Sequence, residues 1–180
     1  MPRILLPAVL LLTIFTPAGP ADKYSGPWPP KPDVPYLVHA DNLIETESAE
    51  ATYEEGRNDT TAWVPGATSP VRTPLAEPIF LIEIQKMVPE KLELYKFNVQ
   101  HGRREVTMSN SAKGSKNASR PLRLTVTRLD AKLYRLEANE TLENGEYSLS
   151  QSGEPISKPS GGKKASEKDL ADLAFCFQVY

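Results

Sequence analysis

The sequence has little of several residue types on which protein chemistry often depends. Its 180 residues include one cysteine and two histidines, and its formal net charge is -2. One cysteine excludes an intrachain disulfide framework and a cysteine-rich zinc site. The near-neutral charge gives no general attraction to nucleic acid, so we predict no nucleic-acid partner.

Signatures of catalysis are also missing. No serine stands in a Gly-x-Ser-x-Gly elbow, and Gly162 with Lys163 lacks the flanking residues of a phosphate-binding loop. Ser160 and Lys163 have Ser-x-x-Lys spacing but fall in a polar stretch, so we interpret the match as a coincidence. The sequence therefore indicates no catalytic residue and no cofactor. It favours a protein that is not an enzyme, and the one enzymatic alternative would use His39 and Asp41.

What the sequence does contain begins with an export signal at 1–21. Arg3 precedes an apolar run at 4–15, and small residues follow as far as Ala21. A basic start, a short apolar core and a small-residue end form the pattern of a secretory signal peptide. The run is shorter than the ~20 residues that span a bilayer, which disfavours an uncleaved anchor. We predict cleavage after Ala21, export to the periplasm or the medium, and no stable membrane span afterwards.

The remaining chain divides into a proline-rich linker at 22–35 and one domain at 36–180. The linker contains five prolines, which favour an extended spacer. In the domain, short apolar segments recur with turn residues between them, and Leu124 and Val126 lie in the clearest alternating segment. This series predicts an all-β fold, an Ig-like β-sandwich of about seven to nine short antiparallel strands.

Two polar loops interrupt the predicted domain, at 109–120 and 151–168. Neither has apolar periodicity, and their Ser, Asn, Gly and Lys content predicts mobility. Helical character is confined to 45–55 and 166–173, and threonine and tyrosine weaken it in the first of these segments. Loops and short strands therefore account for most of the domain.

Charge is unevenly distributed along the predicted mature chain. Residues 22–100 carry a net charge of -6, and residues 101–180 carry +3. Acidic side chains gather at 41–59, and basic ones gather at 103–123 and 158–168. Such opposite charges can be complementary within the fold or between molecules, although a solvated surface is the simpler interpretation.

One local pair of residues has the composition of a polar or metal site. In a strand, residues two apart point to the same side, so His39 and Asp41 would share a face. An imidazole and a carboxylate there could bind a metal, or act as a base with its orienting group. A polar pair at a strand edge is the simpler alternative, because no further ligand can be assigned from the sequence.

A second candidate is a binding surface around Trp63, with Arg103 and Arg104 from the basic segment. The tryptophan precedes a loop that contains Pro65 and Gly66, and loops often carry binding residues. A core position for Trp63 is the competing interpretation. For Cys176, within an apolar segment of an exported chain, we expect burial as a small hydrophobic residue and not pairing between chains.

Three segments carry a resemblance to known proteins: 34–42 (VPYLVHADN), 69–78 (SPVRTPLAEP) and 142–149 (LENGEYSL). On these the chain resembles small exported bacterial β-sandwich proteins of no assigned activity. The segments span most of the predicted domain, and none is a catalytic signature. The resemblance therefore implies fold and export, and it implies no chemistry.

The favoured function is that of an exported, non-enzymatic β-sandwich domain that binds or supports something in the cell envelope or outside the cell. An envelope protein or a glycan is the candidate partner. One alternative is a metal-dependent or hydrolytic enzyme that uses His39 and Asp41. The other is a small outer-membrane β-barrel, for which the chain length and the C-terminal Tyr180 are suitable but the strands are short.

Overall fold

A computed structural model describes residues 24–109, 116, 118–151 and 173–180. The predicted signal peptide, most of the two polar loops and the helical segment at 166–173, except for its last residue, lie outside the described residues. The described part confirms the all-β prediction. It contains one short 3-10 turn, Pro89–Lys91, and fourteen strands.

The strands are, in chain order, β1 (Tyr36–His39), β2 (Asn42–Glu45), β3 (Glu47–Glu50), β4 (Thr52–Glu55), β5 (Asp59–Pro65), β6 (Arg72–Thr73), β7 (Ile79–Glu83), β8 (Leu92–Lys96), β9 (Asn98–Gln100), β10 (Arg103–Ser109), β11 (Leu124–Arg128), β12 (Leu133–Ala138), β13 (Gly145–Gln151) and β14 (Leu173–Val179).

These strands form three sheets. Sheet A has the order β11-β12-β7-β1-β2, and sheet C has the order β4-β5-β10-β9. Sheet B has the order β3-β14-β13-β8, with β6 beside the end of β14. All pairings between these strands are antiparallel except that of β6 with β14, which is parallel.

Sheet B lies between the other two and packs on both of its faces. Phe175 and Phe177 on β14 belong to a core shared with sheet A, which contributes Phe80. Ala174 and Cys176, the alternate residues of the same strand, belong to a second core shared with sheet C. Opposite faces of one strand thus serve two cores, because successive side chains point to opposite sides. The predicted burial of Cys176 is confirmed.

The strand number exceeds the predicted seven to nine because extended segments change sheets. Residues 42–55 are nearly continuous strand, but they pass from sheet A to sheet B at Thr46 and on to sheet C at Ala51. The helical character considered at 45–55 is therefore not realised. Phe97 marks a second change, from sheet B to sheet C, since β8 ends at Lys96 and β9 begins at Asn98.

Two local features of the fold follow directly from the residues that form them. Ile79–Glu83 is an interior strand of sheet A, paired on both sides, as its almost wholly apolar sequence indicates. His101 and Gly102 form the tight turn between β9 and β10, with φ angles of 53° and 75°. Glycine adopts such positive angles without a steric penalty, so it suits the second turn position.

The proline-rich segment is predicted to be a spacer, yet its described part packs on the domain. Asp33 donates its backbone N–H to the carbonyl of Glu83 at 2.7 Å. Its carboxylate accepts the backbone N–H groups of Gln85, Lys86 and Met87 at 2.9–3.0 Å. We call residues 24–35 the N-terminal arm, since they form a bound extension of sheet A.

Candidate functional site

The structure places His39 and Asp41 at the exposed tip of the hairpin that joins β1 to β2. His39 ends β1, whereas Asp41 lies in the turn, beside Ala40 with its φ of 52°. The rule that residues two apart share a strand face therefore does not apply to this pair. Among the described residues, no group of three or more His, Cys, Asp or Glu side chains is placed to hold a metal ion.

Trp63 and Arg103 come together on the outer face of sheet C. Trp63 lies opposite Glu105 in the register of β5 with β10, and Arg103 lies opposite Pro65. Val64 and Arg104, the intervening residues, face the interior and are fully buried. The guanidinium carbon of Arg103 is 5.1 Å from the centre of the Trp63 ring, which is cation–π geometry.

Carboxylates hold this arginine in place. Nη1 of Arg103 is 2.9 Å from Oε1 of Glu54 on β4, and its Nε is 2.7 Å from Oε2 of Glu105. Gln100 on β9 donates to the other oxygen of Glu105. Side chains from all four strands of sheet C therefore form one polar ladder on the outer face, which we call the Trp63–Arg103 face.

Arg104 occupies the opposite environment, in the interior between sheets B and C. Its side chain is 1% exposed. Nη1 and Nη2 make a bidentate pair with Glu47 on β3 at 2.7 and 2.9 Å. Nε donates to the carbonyl of Gly66 and Nη2 to that of Pro65, at 3.1 and 3.0 Å. The sequence grouped Arg104 with the binding surface, but a buried guanidinium with four hydrogen bonds to the protein belongs to the framework.

Glu146 on β13 is the second carboxylate of this interior. One of its oxygens lies 3.8 Å from Nη1 of Arg104 and accepts the backbone N–H of Ser69 at 2.9 Å. Burial raises the pKa of Glu146. Burial also acts on Glu47, but hydrogen bonds from Arg104 and Ser69 outweigh it and lower the pKa of Glu47. The pKa values of the two carboxylates beside Arg104 are therefore shifted in opposite directions.

Cys176 borders the same interior and is chemically inert as a nucleophile. Burial, opposed in part by the charge of Arg104, raises the pKa of Cys176 to about 12. The hydroxyl of Ser69 donates to the carbonyl of Cys176 at 3.3 Å. A thiol with such a pKa is not ionised at neutral pH, and the thiolate is the reactive form.

Sequence reasoning missed Glu47 and Glu146 as partners of Arg104, and Ser69 as a partner of Glu146. Glu47 precedes Arg104 by 57 positions, so no local spacing connects them. A weaker signal exists, since Arg104 shares its strand phase with the apolar Val106. A charged residue on the apolar side of a strand requires a buried partner, which indicates that a partner exists without identifying it.

Comparisons with known proteins identify no relative of the chain. No family model, curated protein or solved structure matches the sequence. In the described ranges, no helix is long and apolar enough to cross a membrane. The functional argument therefore rests on the geometry of the chain itself.

Proposed function

We propose that the chain is an exported, non-enzymatic domain that binds an envelope protein through the Trp63–Arg103 face. Export is supported by the pattern of residues 1–21, in which a basic start precedes an apolar run. The contact surface is supported by the stacking of Arg103 on Trp63 at 5.1 Å. Tryptophan and arginine are the residue types most enriched at the energetic centres of protein interfaces.

Two features favour a protein partner over a glycan. Arg103 covers the ring of Trp63, so the indole is not an open platform for stacking of a sugar ring. The arginine is held between Glu54 and Glu105, which fixes its direction before binding. A preordered aromatic and cationic pair loses little side-chain entropy on association and suits a polar protein surface.

We also propose that sheets A and B correspond to the Ig-like sandwich expected from the sequence, with sheet C as an addition. Support comes from their shared apolar core and from the antiparallel pairing within both sheets. The parallel contact of β6 with β14 places a short strand beside the last strand of the chain. The strand connections in an experimental structure would test this assignment.

The binding proposal is tested with the purified mature chain on an array of envelope proteins and glycans. We expect saturable binding to a protein, and a loss of at least about tenfold in affinity for Trp63→Ala and for Arg103→Ala. Arg123→Ala removes an exposed arginine that directly precedes β11 of sheet A and serves as the charge-matched control. The control is expected to bind normally, and circular dichroism verifies the fold of each variant.

The outcomes separate the alternatives. Binding that is confined to glycans would replace the protein partner with a carbohydrate. Background signal across the array, or binding that is equally strong without Trp63 and Arg103, would contradict the proposal. For export, the mass of protein recovered outside the cytoplasm should correspond to a chain that begins at Asp22, and retention of residues 1–21 would contradict cleavage.

A further inference from the structure

A buried carboxyl group with an incomplete set of partners lies between sheets B and C. Glu146 is 3% exposed. Its Oε2 accepts the backbone N–H of Ser69 at 2.9 Å. Its Oε1 is buried and has no hydrogen-bond partner among the residues that the structure describes. An ionised carboxylate in such a place is costly unless it is paired and hydrogen-bonded.

The nearest cation cannot supply the missing pairing in this arrangement. Arg104 directs four of its hydrogen bonds to Glu47 and to the carbonyls of Pro65 and Gly66. Its closest approach to Glu146 is 3.8 Å, which is too long for a hydrogen bond. With both Glu47 and Glu146 ionised, the interior would therefore hold two carboxylates and one guanidinium.

The other charged or titratable groups around Glu146 come from three further elements. Arg72 on β6 acts as a more distant positive charge, and Glu47 on β3 as a negative one. Cys176 on β14 faces the same interior and is neutral at ordinary pH, since burial raises its pKa to about 12. Together these groups leave one negative charge poorly compensated when Glu146 ionises, and burial raises the pKa of Glu146 accordingly.

The loop at 66–70, between β5 and β6, is held on the interior by the same groups. Gly66 binds Arg104 through its carbonyl. Ser69 binds Glu146 through its backbone N–H, and its hydroxyl donates to the carbonyl of Cys176 at 3.3 Å. The hydroxyl of Ser69 also accepts the N–H of Val71 at 3.2 Å. Ser69 is therefore the point at which the loop is fastened to sheet B.

We propose that Glu146 is a proton-operated switch that keeps the 66–70 loop closed on the interior when it is neutral and releases the loop when it ionises. The closed loop retains the proton of Glu146 because the neutral form leaves Arg104 and Glu47 as a balanced pair. Ionisation strengthens the hydrogen bond from the Ser69 N–H, but the cost of burying Oε1 without a partner outweighs that bond and keeps the pKa of Glu146 raised. Opening admits water, which solvates the carboxylate. By linkage, a carboxyl that binds its proton more tightly in the closed state makes closure favourable at low pH and less favourable as pH rises. This device does not depend on the proposed binding function.

The test is hydrogen exchange at the Ser69 amide, measured by NMR as a protection factor from about pH 5 to about pH 9, with the carboxyl-carbon shift of Glu146 recorded in parallel. We expect protection at Ser69 to fall by up to about tenfold per pH unit between the pKa of Glu146 in the open state and its higher pKa in the closed state, and to level off above the latter. The Phe97 amide, which binds the backbone carbonyl of Glu146 at 2.8 Å, is the control and should keep its protection.

Two variants sharpen the result. Glu146→Gln removes the titration, so protection at Ser69 should no longer depend on pH. Glu47→Gln removes a like charge and frees Arg104, so the carboxyl of Glu146 should titrate at lower pH than in the parent. Constant protection in the parent chain, a pH dependence that persists in Glu146→Gln, or a Glu146 carboxyl that titrates like an ordinary glutamate would each overturn the proposal. The parent chain alone decides the matter if a variant does not fold.

Discussion

Arg103 and Arg104 are neighbours in the sequence and have opposite environments. Arg103 lies on the outer face of sheet C among Trp63, Glu54 and Glu105, while Arg104 is fully buried with Glu47. The two-residue period of a strand produces this separation at a single step along the chain. The same residue type consequently has two roles, one at a candidate surface and one in the framework.

Replacing each arginine by methionine should reveal that difference. Arg104→Met leaves Glu47 without its bidentate partner and Glu146 without its nearest cation, so the free energy of unfolding should fall by about 3–5 kcal/mol. Arg103→Met loses a pair with the exposed Glu54 and a pair with the buried Glu105, which keeps its hydrogen bond from Gln100, so it should lose less than Arg104→Met. Urea denaturation of both variants measures the comparison. Equal losses would contradict the assignment of separate roles.

Cys176 permits a second test at the residue scale. Because the thiol is buried and its pKa is raised to about 12, native protein should be almost unreactive toward a thiol reagent at mildly acidic pH, where the 66–70 loop is closed. The same reagent should modify one thiol per chain in strong denaturant. Rapid labelling of native protein, at the rate of a free cysteine, would show that the interior between sheets B and C opens readily.

At the scale of elements, the N-terminal arm is more than a connection. Tyr36 and Leu81 are opposite each other in sheet A, on the face away from the core, and both are nevertheless buried. The arm reaches across this face, since Trp28 donates to Glu83 and Lys31 to Glu45, at 2.9 and 2.8 Å. Its attachment therefore covers apolar area on sheet A.

Asp33 should control that attachment. Asp33→Asn keeps a residue type that tolerates the φ of 58° but removes the charge that accepts the N–H groups of residues 85–87. Hydrogen bonds to a charged group are stronger than neutral ones, so we expect a loss of about 1–2 kcal/mol in the free energy of unfolding. Lys31→Gln, which alters an exposed pair, is the control and should change little. Unchanged stability in Asp33→Asn would mean that the arm is not held by this carboxylate.

Sequence patterns predicted individual strands better than the pairing of those strands into sheets. The alternating segment with Leu124 and Val126 forms a strand where expected, because its periodicity is a local property. Sheet membership depends on the rest of the fold. Nothing at Thr46 or Ala51 signals that residues 42–55 pass through three sheets.

The candidate sites show the same difference between residue types, which can be chosen from the sequence, and contacts, which depend on the fold. Trp63 and Arg103 were both selected from residue type, and the structure brings them together through a register of β5 with β10 that the sequence does not reveal. His39 and Asp41 were paired on an assumed strand, but the strand ends at His39, two residues before Asp41. The buried group around Arg104 joins strands far apart in sequence, so only the folded chain could identify it.

At the scale of the whole molecule, β14 links both cores and should make their unfolding cooperative. Phe177 packs against Phe80 and Tyr147 in the core of sheets A and B, with ring centres 4.8 and 5.5 Å away. The next residue toward the N-terminus, Cys176, lies in the core of sheets B and C. Loss of order in β14 therefore removes one wall from each core at the same time.

A cavity in the core between sheets A and B should therefore also destabilise sheet C. Phe177→Ala is expected to lower the free energy of unfolding by about 3–5 kcal/mol. In a Trp28→Phe background, Trp63 is the remaining tryptophan and reports on sheet C, while circular dichroism reports on all strands. Both signals should shift to the same lower denaturant midpoint in a single transition, since one cooperative unit has one midpoint. If the Trp63 signal kept the midpoint of the parent while circular dichroism moved, sheet C would be an independently stable unit and the shared role of β14 would be disproved.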